Sequence, residues 1–156
     1  METLRVYVDT SVFGGCHDAE FAEESQRFFG LVRSGQVRVL ISQVVVEELA
    51  DAPQRVHEVI ESLPGDSVML VDLTPEVIEL REAYLAAGIV DRRFMDDATH
   101  VAAATVARAD AIVSWNFRHI VRLDKMRAYN QVNLRAGYGP LAIVSPREVR
   151  GDEGEA

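Results

Sequence analysis

The chain has 156 residues, with 16 Lys and Arg against 25 Asp and Glu, a formal charge of −9 and 48% apolar residues. At this length one compact domain can bury roughly 70% of its unfolded surface, which counts against disorder and against several domains. The acidic balance counts, on average, against nucleic acid and anionic membranes as partners. With Cys16 as the single cysteine, no internal disulfide can form, and the cytoplasm is the expected location. The opening METLRVYVDTS carries no basic segment followed by a long apolar core, and stretches such as 101–107 are too short to span a bilayer.

In chain order, five short apolar, β-branched runs read as strands: Leu4–Val8, 37–41, Val68–Val71, Ala111–Val113 and 141–144. Helical spacing lies between them. In 21–32 it aligns Phe21, Ser25, Phe28, Phe29 and Val32, and after the Thr74-Pro75 start it aligns Val77, Leu80, Tyr84 and Ala87, with Gly88 as the stop. Another helix start stands at Pro53. This alternation predicts an α/β fold with a mostly parallel sheet covered by helices, because parallel connections need crossovers long enough to hold a helix. Residues 1–150 form the expected single domain, and 151–156, GDEGEA, a flexible acidic tail.

In open α/β sheets ligands bind beyond the carboxyl ends of the strands, so polar residues there come first. Asp9-Thr10-Ser11 follow the first strand, either as a turn or helix cap or as part of a site. Glu47 and Glu48 fall in the first turns of a helix after Ser42, and spacing places Glu48, beside Val45 and Leu49, on the enclosed side. Asp96 and Asp97 open an Ala-rich helix, with Asp96 as the expected N-cap and Asp97 projecting from the helix start. His100, three residues on, is in reach of Asp97 as a supporting partner. The fourth strand ends in Ser114-Trp115-Asn116. Clustered carboxylates repel unless neutralised, and a hard divalent cation, Mg²⁺ or Mn²⁺, is the usual neutraliser. Zinc-like His and Cys spacing is missing, since Cys16-His17 stands alone.

Four segments carry a resemblance: Val8-Asp9-Thr10-Ser11, Glu48-Leu49, Asp97-Ala98 and Val113-Ser114-Trp115-Asn116. In order and spacing they resemble PIN-domain proteins, specifically the VapC-like toxin ribonucleases of type II toxin-antitoxin pairs, over nearly the whole chain to about Val144. The resemblance implies a small three-layer α/β/α sandwich with a mostly parallel central sheet, and an RNA-cleaving site of Asp9, Glu48, Asp97 and Asn116 around the cation, with Thr10, Ser11, Ser114 and His100 supporting it. It also implies a small antitoxin protein and a homodimer. Asn116 departs from the family, which commonly has an Asp there: Asn keeps an oxygen ligand and removes a charge, which would weaken binding of a second metal.

Residues 108–150 hold eight Arg or Lys against three acids, whereas 1–107 hold eight against nineteen. The basic stretch after Asn116 offers Arg118, His119, Arg122 and Lys125 to phosphates, or forms a solvated helix face. Tyr129, Asn130, Asn133 and Tyr138 could reach unpaired bases, and the apolar faces of 21–32 and 53–63, with Phe28-Phe29, could serve a partner. Three functions compete. A metal-dependent endoribonuclease comes first; a PIN-like RNA- or protein-binding module that no longer cuts is second. A phosphotransfer domain using Asp9 as nucleophile is third, because Asp9-Thr10-Ser11 lacks a second Asp two residues on.

Overall fold

A computed structural model describes residues 3–151, so the expected acidic tail, apart from Gly151, lies outside the described residues. The elements run β1 (Leu4–Val8), α1 (Thr10–Gly15), α2 (Ala22–Arg33), β2 (Val37–Ser42), α3 (Gln43–Leu49), α4 (Gln54–Glu61), β3 (Val68–Val71), α5 (Pro75–Ala86), α6 (Met95–Val106), β4 (Ala111–Val113), α7 (Leu123–Arg135) and β5 (Ala142–Val144). All five strands are parallel, in the order β3-β2-β1-β4-β5. The expected α/β architecture with a parallel sheet is therefore present. Right-handed crossovers place the β1-to-β3 connections on one face and the β3-to-β5 connections on the other. The packing agrees: α1 touches α2, α3 and α4, and α5 touches α6 and α7.

Strands buried on both faces need continuous apolar sequence. Val6, Tyr7, Val8, Val39, Leu40, Ile112 and Val113 are all fully buried. In α6 the residues Ala98, Ala102, Ala103 and Ala104 are also fully buried, and their small side chains allow the helix to lie close to the sheet. The Thr74 hydroxyl accepts from the Val77 N–H at 3.3 Å to start α5, and Gly88, at φ +73, ends that region in the left-handed conformation that suits glycine.

Several expectations shift. Helix α6 begins at Met95, so Asp96 is an exposed first-turn residue instead of the N-cap. Phe28 and Phe29 offer no partner surface: both are fully buried, Phe13 and Phe29 stacking with centroids 5.2 Å apart. Tyr129 and Asn133 are likewise internal, and Asn130 binds the backbone of Leu141 and Met126. Each of these polar groups satisfies the core where it stands, as burial demands.

Candidate active site

From β1 the chain moves outward through β2 to β3, then returns to build β4 and β5 on the other side. The carboxyl ends of β1 and β4 therefore border the topological switch point, where the diverging connections open a crevice. Asp9 and Ser114 stand there. Asp9 occupies the N-cap position of α1, yet its side chain makes no capping hydrogen bond. Instead Ser11 Oγ donates to Asp9 Oδ1 at 2.6 Å and Ser114 Oγ donates to Oδ2 at 2.8 Å. The Trp115 N–H donates to Ser11 Oγ at 2.9 Å and the Asn116 N–H to Ser114 Oγ at 2.8 Å. With those lone pairs taken, both hydroxyl protons point at the carboxylate. Asp9 is only 4% exposed. Burial raises its pKa against the opposing effects of His100 and the two hydroxyls, and the charge of Asp97 adds to the rise.

Glu48 enters from α3; it is exposed like Glu47, so the enclosed position expected for it is not what sets it apart, and its bonds to Thr10 and His100 do so instead. Thr10 Oγ1 donates to Glu48 Oε1 at 2.6 Å, and His100 Nε2 stands 2.8 Å from the same oxygen. Thr10 thus serves Glu48, and His100, expected beside Asp97, reaches across to α3 instead. Behind it, His100 Nδ1 meets the Tyr7 hydroxyl at 2.7 Å, which in turn meets Ser42 Oγ at 2.8 Å. Burial would lower the pKa of His100, but the Glu48 hydrogen bond and the charges of Asp9, Glu48 and Asp97 raise it. For Glu48, burial is outweighed by His100 and Thr10, and its pKa falls. Tyr7 and Ser42 are supporting residues that sequence reasoning missed. Strand alternation held a signal, since Tyr7 faces opposite to Val6 and Val8.

Asp97 projects from the start of α6, its Oδ2 3.1 Å from His119 Nδ1. Burial raises its pKa, His100, His119 and a hydrogen bond from Asn116 pull it down, and Glu48 pushes it up. Asn116 does not offer the expected oxygen. Its Oδ1 accepts from the N–H groups of Arg118 and His119 at 3.1 and 2.9 Å, an Asx-type turn, so the amide nitrogen is left to donate to Asp97. The basic stretch is largely engaged elsewhere. The His119 ring lies against Phe94, tilted at 31° with centroids 4.0 Å apart, Arg122 pairs with Asp124 through two 2.7 Å bonds, and Lys125 Nζ donates to the Ile89 carbonyl. Arg118 remains exposed.

No protein-family model and no curated protein matches the sequence. Solved structures do match. VapBC2 from Rickettsia felis, bound to a DNA fragment from its promoter, superposes with a TM-score of 0.53 at 14% identity, over 74% of this chain and 90% of that one. VapC20 from Mycobacterium tuberculosis, a sarcin-ricin loop cleaving toxin, superposes with a TM-score of 0.50 at 15% identity, over 87% and 98%. The chain has the PIN-like fold of the VapC toxins.

On this VapC-type fold the donor set is of the hard-cation kind: three carboxylates, two of them tied through Thr10 and His100, and no thiolate among them. Among the described residues no three His, Cys, Asp or Glu side chains converge closely enough to hold one ion. This arrangement is not a closed cage. It is compatible with Mg²⁺, which is usually bound through one or two carboxylates and keeps waters that substrate phosphate can replace. Also among the described residues, no helix is long and apolar enough to cross a membrane.

Proposed function

We propose that the protein is a Mg²⁺- or Mn²⁺-dependent endoribonuclease, the toxin of a cytoplasmic toxin-antitoxin pair, with a small antitoxin protein and a second copy of itself as partners. The reading is carried by one observation: Asp9, Glu48 and Asp97, from three separated segments, are tied together at the switch point of a VapC-type fold, because Thr10 beside Asp9 and His100 three residues on from Asp97 both bond Glu48 Oε1. One or two of Asp9, Glu48 and Asp97 would bind the cation directly, and the rest through water. Bound there, it would lower the pKa of a water molecule and neutralise charge on the scissile phosphate. The protein's own groups do the positioning. Ser11 and Ser114 fix both oxygens of Asp9, Thr10 and His100 hold Glu48 ionised, and His119 with Asn116 steadies Asp97. Arg118, exposed at the rim, suits a phosphate oxygen.

A second reading, a module that grips RNA or protein without cutting, is favoured by Asn116, whose oxygen is spent on its own turn. Purified protein incubated with mixed RNAs, with and without Mn²⁺ or Mg²⁺, separates the two. Metal-dependent cleavage lost in both Asp9→Asn and Asp97→Asn supports the nuclease; cleavage equal in the variants means contamination and defeats it. RNA binding without cleavage selects the module.

A further inference from the structure

Phe117 is 42% exposed one residue beyond Asn116. A phenyl ring left partly in water forgoes part of the gain of burial, so nothing in the fold asks for it there. Its backing is aromatic and rigid. The ring lies 6.0 Å from Trp115, edge-on at 65°, and 6.4 Å from Phe21, while Phe21 stacks on Trp115 with centroids 4.2 Å apart. Trp115 is pinned at both ends: its indole Nε1–H donates to Ser25 Oγ at 2.8 Å, and its backbone N–H donates to the Ser11 hydroxyl that holds Asp9. Gly15 packs so tightly against the indole that an added Cβ would stand 2.8 Å from Nε1.

The exposed ring is thereby tied to the acidic crevice, with no more than about 11 Å of chain from Ser114 to Phe117. Positive charge borders it. Arg118, the next residue, is exposed, and its guanidinium has no partner among the described residues; the Arg147 guanidinium sits 5.1 Å from the centre of the Trp115 ring. A flat apolar face flanked by arginines matches the chemistry of an unpaired nucleotide, whose base stacks while its phosphates pair. An apolar protein surface would meet those charges instead.

We propose that Phe117 is a stacking platform for one unpaired base of a single-stranded RNA, with Arg118 and Arg147 taking the neighbouring phosphates. The proposal deepens, and rests on, the ribonuclease reading. Its test measures binding of a fluorescein-labelled, mixed-sequence RNA 12-mer in chelator, where metal-dependent cleavage cannot run, beside wild-type cleavage in Mn²⁺. Measured well below every variant's thermal midpoint, Phe117→Ala is expected to weaken binding about tenfold, Phe117→Trp to restore it, and Phe117→Leu to leave it weak. A 12-mer series with one abasic position should contain a member that binds the wild type as weakly as the intact RNA binds Phe117→Ala, and that loses nothing further with that variant. Equal binding by wild type and Phe117→Ala, full binding by Phe117→Leu, or no binding by the wild type overturns the platform. So does a Phe117→Ala variant that binds RNA normally and instead loses a co-expressed protein partner. Absent cleavage with Phe117-dependent binding removes the nuclease reading and keeps the platform; cleavage with Phe117-independent binding does the reverse.

Discussion

His100 Nε2 stands 2.8 Å from Glu48 Oε1, joining a histidine only 1% exposed to a glutamate 52 positions earlier in the chain. The Tyr7 hydroxyl on the far ring nitrogen completes the support. The imidazole therefore has a partner at each nitrogen, and its charge when protonated faces Glu48, Asp9 and Asp97.

That pair fixes a pH dependence. The folded pKa of His100 lies above its ordinary 6.5, so its stabilisation is fully present below about pH 6.5 and is lost as pH rises through the folded value. Glu48 is shifted below its ordinary 4.5, so its contribution is present above about pH 4.5 and is lost as pH falls through the folded value. Urea midpoints are expected to fall on both sides of this window, with Glu48→Gln flattening both slopes. In NMR titration the His100 imidazole should titrate above 6.5 in the wild type and lower in Glu48→Gln; an unchanged titration would refute the coupling.

Asp9 runs the other way. Burial raises its pKa above the ordinary 3.8, so the cost of its charge is absent below about pH 3.8 and builds until pH passes the folded value. At pH 7.5 the metal-free Asp9→Asn variant should keep or raise the thermal midpoint while abolishing cleavage, a trade of stability for function. A clear drop in the midpoint would show that ionised Asp9 supports the fold.

Gly15→Ala tests the link between Trp115 and Asp9. The new Cβ would stand 2.6 Å from Ser25 Oγ and 2.8 Å from Trp115 Nε1, both in packed surroundings. Overpacking of this kind costs about 1–3 kcal/mol, more than the roughly 1 kcal/mol that Ala gains over Gly in a helix. A lower denaturation midpoint and a changed fluorescence spectrum from Trp115, the single tryptophan, are expected.

Asn116→Asp keeps an oxygen to accept from the Arg118 and His119 N–H groups and adds a charge beside Asp97. Without metal the variant should unfold at a lower temperature, from like-charge repulsion. Mn²⁺ should raise its midpoint more than that of the wild type, because a ligand held by the folded state stabilises by mass action, about 2.7 kcal/mol at a hundred times Kd. Equal shifts in the two proteins would mean that position 116 does not sense the cation.

Much of this was legible before folding, because it is local. Strand runs were placed to within a residue at either end, and the Thr74-Pro75 start and Gly88 stop bracket α5, since period, caps and φ preferences act over a few residues. The strand-end rule also singled out Asp9 and Asn116, and position on a helix singled out Glu48 and Asp97. The partners were not legible: His100 goes to Glu48 instead of Asp97, Thr10 to Glu48, and the oxygen of Asn116 to its own turn. Arg122 and Lys125, read as free for phosphate, are held by Asp124 and the Ile89 carbonyl.

The amino-acid sequence by itself determined an alternating α/β chain, the acids that end its strands and open its helices, and a −9 charge whose acidic excess lies in residues 1–107. Only the tertiary structure decided which hydroxyl faces which carboxylate, that Tyr7 and Ser42 stand behind His100, and that Phe117 is left partly exposed near the crevice. The reason is physical. A hydrogen bond such as Ser114 to Asp9 spans 105 positions, and no local preference encodes it; it exists because a parallel sheet sets the ends of β1 and β4 side by side and the buried carboxylate must find donors there.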